Sequence, residues 1–141
     1  MTELVAAPLL VMERDLFFVA KIRETLKAAG RMCVVVKSVE ALQAHFADEP
    51  HPLLLLVHFG VEGLPWQEAI HMARAAGVSV LAFGSHVDLA AQSEARAAGA
   101  TRIIPNSKLA ADLLAQIDRT MERGANQSAL TAPEEESENQ S

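Results

Sequence analysis

The sequence predicts an α/β fold of three layers, a five-stranded parallel sheet with helices on both faces. Two observations lead there. Short apolar runs of β type alternate five times with helical patterns, and one of those runs, Leu53 to Val57, is apolar without a break. An apolar run without alternation reads as a strand buried on both faces, the habit of a parallel sheet between helix layers. Right-handed crossovers between successive strands then place helices on both sides.

The first strand is Leu9 to Met12. Asp15 is a natural N-cap for the helix after it, in which Phe18, Ile22 and Leu26 repeat every fourth residue until Gly30 stops it. The second strand, Met32 to Val36, leads to a helix capped by Ser38 that runs through Val39, Leu42 and Phe46 and ends before Pro50. The third strand is Leu53 to Val57. Pro65 opens the third helix and Gly77 closes it. Val78 to Phe83 form the fourth strand, and an alanine-rich helix follows from about Val87 to Ala98. After a fifth strand, Arg102 to Ile104, a helix from Ser107 places Ala110, Leu113, Leu114, Ile117 and Met121 on one stripe.

The chain has 141 residues, 50% hydrophobic and 21% charged, which suits one domain with a core large enough to fold unaided. The expected organisation is a domain over residues 1–123 and an acidic, disordered tail over 124–141, where little can be buried. The tail holds Glu134, Glu135, Glu136 and Glu138 and no base, so it carries four of the six net negative charges. No Lys/Arg stripe forms a nucleic-acid footprint. The single cysteine, Cys33, has no companion for a disulfide or thiolate metal site and reads as core filler in a reducing cytoplasm. Neither a basic-then-apolar leader nor an apolar run of the roughly 18 residues needed to span a bilayer is present, so export and membrane insertion are not expected.

His58 follows the central apolar run and precedes the loop Phe59-Gly60-Val61-Glu62-Gly63. In parallel sheets the carboxyl ends of the strands line the functional crevice, so His58 holds the position best placed for chemistry in the fold.

From Pro8 to Arg123 the chain resembles the receiver domain of bacterial response regulators, with its flavodoxin-like (CheY-like) five-stranded fold. The resemblance lies in Leu9-Leu10-Val11-Met12-Glu13-Arg14-Asp15 for the first strand and its acidic end, and in Pro52 to His58 for the strand that bears the phosphorylated aspartate. Val80-Leu81-Ala82-Phe83-Gly84-Ser85-His86 resembles the fourth strand, and Gly99-Ala100-Thr101-Arg102-Ile103-Ile104 the turn into the fifth.

That family's chemistry needs a carboxylate nucleophile, two acids for Mg²⁺, a hydroxyl and a lysine. Here the nucleophile position is His58, which cannot form an acyl phosphate, and the acidic pair is Glu13 and Arg14, a cation where a hard metal wants oxygen. Asp15 could replace one acid but has its capping role. The hydroxyl position is Gly84, with Ser85 one residue late and facing the other way. The lysine position is Asn106, with Lys108 two residues on, and the aromatic switch is Ile103. Shifting the third strand supplies no aspartate, since none lies between Asp48 and Asp88. The resemblance is therefore to a pseudo-receiver, without the phosphoacceptor.

His58 is expected to hydrogen-bond Glu13 or Asp15 across the crevice. The sharper alternatives are a proton or small ligand acting on it, a metal held with Glu13 and His86, or phosphotransfer through His58 aided by Arg14 and Lys108. His45, His51 and His71 lack mutual metal spacing and are expected to face solvent. A flavin phosphate is disfavoured by the acids after the first strand, and Gly60-Val61-Glu62-Gly63 lacks the Lys/Ser pair of a P-loop. The Asp and Gly that flank a cobalamin-binding histidine are replaced by Leu56 and Val61. Trp66 is expected to pack in the core or anchor a partner, and Phe17 to lie exposed.

The expected function is non-catalytic, with no cofactor and no metal: protein–protein contact within a bacterial signalling or regulatory system, independent of aspartyl phosphorylation. The resemblance implies an output face on the fourth helix, fifth strand and fifth helix, for which Ala90, Ala91, Ala95, Ile103 and Lys108 are the candidates. Another signalling protein of a histidine-kinase pathway, or a second copy, is the expected partner, and output is expected to pass through another chain.

Overall fold

The computed structural model describes residues 7–130. Its five parallel strands are β1 (Leu9–Met12), β2 (Cys33–Val35), β3 (Leu54–His58), β4 (Ser79–Gly84) and β5 (Arg102–Pro105), in the order β2-β1-β3-β4-β5. The helices between and after them are α1 (Leu16–Ala28), α2 (Val39–Ala47), α3 (Trp66–Ala75), α4 (Leu89–Ala98) and α5 (Asn106–Leu130). The expected α/β class and its three layers are the observed ones.

Strand side chains alternate between faces, and here both faces are apolar. Leu10, Met12, Leu55, Val57, Val80 and Ala82 pack with Leu42 of α2, Ile70 of α3 and Ala95 of α4. Leu9, Val11, Leu54, Leu56, Leu81 and Phe83 pack with Ile22 and Leu26 of α1 and Leu113 and Ile117 of α5. Because β2 and β3 flank β1, the crossover direction reverses beside β1 and β3, and a crevice opens beyond their carboxyl ends.

Asp15 caps α1 by accepting from Phe17 N at 2.9 Å, and Ser38 caps α2 by accepting from Ala41 N at 3.1 Å. The fourth helix starts later than Val87. Asp88 is its cap, accepting from Ala91 N at 3.0 Å, and Val87 lies exposed in the preceding turn.

Helix α5 departs most from expectation. It begins at Asn106 and runs through Gly124 to Leu130, with one non-helical residue, Asp112 (φ −152°, ψ 51°). The boundary expected at residue 124 thus falls inside a helix, while residues 131–141, which hold Glu134, Glu135, Glu136 and Glu138, lie outside the described part. Gly124 is there for space: a Cβ on it would overlap Ser79 Oγ at the start of β4. The buried stripe of α5 is Leu109, Leu113, Gln116, Ile117 and Thr120, whereas Ala110 and Leu114 face outward. Two polar residues thus take inward positions that the apolar pattern assigned elsewhere. Among the described residues, no helix is long and apolar enough to cross a membrane.

Candidate functional site

The register of β1, β3 and β4 assembles the crevice. Met12 pairs with Val57, which brings the next residues, Glu13 and His58, side by side at the carboxyl end; His58 itself pairs with Phe83. Glu13 is fully buried. Its Oε1 accepts from the backbone N–H of Arg14 at 2.8 Å and of Asp15 at 3.2 Å, and its Oε2 accepts from His58 Nδ1 at 2.5 Å. Both carboxylate oxygens are thereby engaged by donors of the chain itself.

The imidazole of His58 is stacked on Phe83, with centroids 4.6 Å apart and planes at 24°, and meets the edge of Phe18 at 5.6 Å and 73°. Its side chain keeps 15% exposure. With Nδ1 committed to Glu13, Nε2 has no hydrogen-bond partner among the described residues. Of the two acids expected to satisfy His58, Glu13 does so, and Asp15 is occupied as a helix cap.

Arg14 is exposed and turns away from Glu13. Its Nη1 donates to the carbonyl of Glu62 at 2.7 Å, tying the loop after β1 to the loop after β3. The guanidinium rests on Gly63, which has φ +83° and whose Cβ, were there one, would lie 2.6 Å from Nη1. Only a residue that accepts positive φ and lacks a side chain serves at that point. Arg14 therefore spans the mouth of the crevice instead of entering it.

Gly84 is filled from the side. Phe59, 3% exposed, lays its ring where a side chain at 84 would stand: a Cβ there would be 2.6 Å from Phe59 Cε1. The same ring contacts Trp66 at 6.3 Å between centroids, so Trp66, 7% exposed, is a core residue. The sequence reading missed Phe59. An aromatic residue just past the strand, together with a glycine ending the neighbouring strand, was the available signal. Ser85 accepts from Val87 N at 3.3 Å, organising the turn into α4. Asn106 opens α5, with its Oδ1 buried and without a hydrogen-bond partner among the described residues.

The candidate interface residues divide. Ala90 and Lys108 are exposed and Ile103 is half-buried, but Ala91 and Ala95 are buried against the sheet and α3. Their i, i+4 spacing puts them on the inner stripe of α4, where small size permits close packing. The exposed apolar residues there are Val87 and Leu89, at 71% and 70%. Phe17 is exposed as expected. His51, His71 and His86 face solvent, while His45 is half-buried. Burial pushes the Cys33 thiol above its ordinary value, with Arg23 offsetting in part. Among the described residues, no three His, Cys, Asp or Glu side chains gather where they could hold a metal.

An apolar groove of about 630 Å³ runs between α1 and α5, lined by Phe17, Phe18, Ile22, Leu113 and Leu114. Phe18 forms part of its wall and also touches His58.

With that geometry in place, solved structures give the comparison. A CheY-like response regulator receiver domain from Methanospirillum hungatei JF-1 superposes with a TM-score of 0.72 at 16% identity, covering 87% of this chain and 99% of that one. The fold is that of a receiver domain. The receiver of a modulated diguanylate cyclase from Desulfovibrio desulfuricans G20 gives a TM-score of 0.70 at 17% identity, over 87% of this chain and 99% of the other. NtrX from Brucella abortus gives 0.73 at 17% identity, over 90% of this chain and 29% of its own length. No protein-family model matches the chain. No curated protein matches it either. At such identities the receiver fold is what is shared.

Proposed function

We propose that this chain is a non-catalytic pseudo-receiver that acts by protein–protein contact in a bacterial signalling or regulatory assembly, without aspartyl phosphorylation. One observation carries the reading: the place of a receiver's nucleophile holds an imidazole locked between the Glu13 carboxylate and the Phe83 ring. The surroundings agree. Glu13 has no free oxygen for a metal, Phe59 occupies the space of a hydroxyl at Gly84, and Asn106 stands where a lysine would pair with phosphate. Hard Mg²⁺ requires several oxygen ligands, and the crevice offers them poorly.

The partner, another signalling protein or a second copy, is placed on α4, β5 and α5. There Val87, Leu89, Ala90 and Lys108 are exposed beside Ile103. Capture of partners by the full chain and by a Leu89→Glu/Lys108→Glu variant tests this. A protein or second copy held by the first and lost by the second supports the reading; equal capture by both removes the partner from that face. The site of action is proposed to be cytoplasmic.

A second reading, small-ligand sensing, has one observation in its favour: Phe18 is both a wall of the α1–α5 groove and an edge contact of His58. Titration with small apolar compounds, followed on the His58 and Phe18 resonances, tests it. Saturable movement of both supports sensing, and unmoved resonances discard it.

A further inference from the structure

At the amino ends of β4 and β5, the end of the sheet opposite the His58 crevice, a cleft of about 240 Å³ is lined by Arg74, Ser79, Thr101, Gly124 and Gln127. No carboxylate is among its lining residues. Guanidinium groups reach it from two sides, because α3 packs on one face of the sheet and α5 on the other. From α3, Arg74 Nη1 donates to the carbonyl of Gly99 at 3.3 Å; from α5, Arg123 Nη1 donates to the carbonyl of Thr101 at 3.5 Å. The two accepting residues are two positions apart, about 7 Å at most along the chain, so both groups are held to one short segment. The stem of Arg74 lies against Gly99, where a Cβ would be 3.0 Å from its Cγ. Arg102, next after Thr101, sends Nη1 to the carbonyl of Gln116 at 3.2 Å and to Thr120 Oγ1 at 3.4 Å, on the stretch of α5 that carries Arg119 and Arg123.

Among the described residues, none of these four arginines forms an ion pair; Asp118 is paired with Arg31 at 3.1 Å, and Glu122 makes no ion pair. Like charges gathered without counter-charge repel. Burial first, and then Arg123 and Arg119, pull the Arg102 pKa below its ordinary value. We propose that the cleft binds a small anion with two phosphoryl groups, a free diphosphate or its ester, one group facing Arg74 and the other facing Arg123 and Arg102. A guanidinium fork matches phosphate oxygens two at a time, and the Ser79 hydroxyl and Gln127 amide add neutral donors. The bound anion supplies the charge that the arginines lack and ties α3 to α5 across the end of the sheet. The site uses neither His58 nor the exposed residues of α4, so it does not rest on the proposed function.

Titration of the full chain with inorganic pyrophosphate, followed on the arginine Nε–H resonances, tests the site. The titration is run near 0.15 M salt, where exposed charges more than about 8 Å apart are screened. The resonances of Arg74 and Arg123 should move and saturate, while those of Arg14, Arg23, Arg31 and Arg96 stay in place. Arg74→Gln and Arg123→Gln, both at exposed positions and on different helices, should each weaken binding at least about tenfold. Absence of saturable movement overturns the proposal, as does equal affinity in the parent and both variants. An equal response to sulfate at the same ionic strength overturns it too, by reducing the effect to general screening. Sedimentation of the chain with phosphatidylglycerol vesicles, while pyrophosphate leaves the resonances unmoved, overturns it by assigning the arginines to lipid headgroups.

Discussion

His58 and Glu13, 45 residues apart in sequence, form a part-buried pair with Nδ1 and Oε2 2.5 Å apart at the carboxyl ends of β3 and β1. Two backbone N–H groups hold the second oxygen of Glu13, so the carboxylate is held from both sides. Removing one member of such a pair strands the other away from water. Glu13→Ala should destabilise the domain by about 3 kcal/mol or more. Glu13→Gln keeps one acceptor and should cost less. Urea unfolding of both variants checks the order; equal midpoints for Glu13→Ala and the parent would show that the pair contributes nothing.

Phe59 and Gly84 are complementary in shape, an aromatic ring over a residue without a side chain. Gly84→Ser should therefore destabilise by about 1–3 kcal/mol through overpacking. Truncation of the ring in Phe59→Ala is costly alone but makes room for the hydroxymethyl group that Gly84→Ser introduces. A double-mutant cycle should show a favourable coupling of at least about 0.5 kcal/mol. Strict additivity would mean that the ring and a side chain at position 84 do not compete for the space.

Gly124 gives a prediction whose sign is decided by packing. Helix propensity alone favours Gly124→Ala by about 1 kcal/mol in a helix interior. The overlap with Ser79 Oγ opposes it. The expected result is a lower melting temperature for Gly124→Ala, with recovery when Ser79→Gly is added.

Gln116 is fully buried, and neither Nε2 nor Oε1 has a hydrogen-bond partner among the described residues. Its amide is a standing desolvation penalty of roughly 1–3 kcal/mol. Gln116→Leu, similar in size, should raise stability by about 1 kcal/mol, measurable by chemical denaturation. Loss of stability would show that the amide is satisfied in solution.

These contacts mark how far the sequence could be read. The strands were legible to within about a residue, because a sheet buried on both faces leaves unbroken apolar runs such as Leu54–Val57. Asp15 and Ser38 announced their caps through side-chain chemistry that acts within three residues. A carboxylate partner for His58, Glu13 or Asp15, was legible once the strands were placed; the choice of Glu13 was not, because Asp15 is taken up as the cap of α1. What was not legible depended on a second segment: Gly124 resembles the start of a tail until Ser79 of β4 is seen beneath it, and Ala91 and Ala95 resemble a smooth outer face until α3 covers them. Gln116 and Thr120 break the apolar period of α5, so the pattern chose Ala110 and Leu114 instead.

The proposed absence of aspartyl phosphorylation is tested most sharply by one substitution. His58→Asp restores a carboxylate but sets it against Glu13, with Arg14 turned outward, Gly84 filled by Phe59 and Asn106 in place of a lysine. The parent chain and His58→Asp are each incubated with acetyl phosphate and Mg²⁺, and intact-mass spectrometry is run at once. The account predicts an unmodified mass for both. A labile phosphoryl adduct on either protein would contradict it.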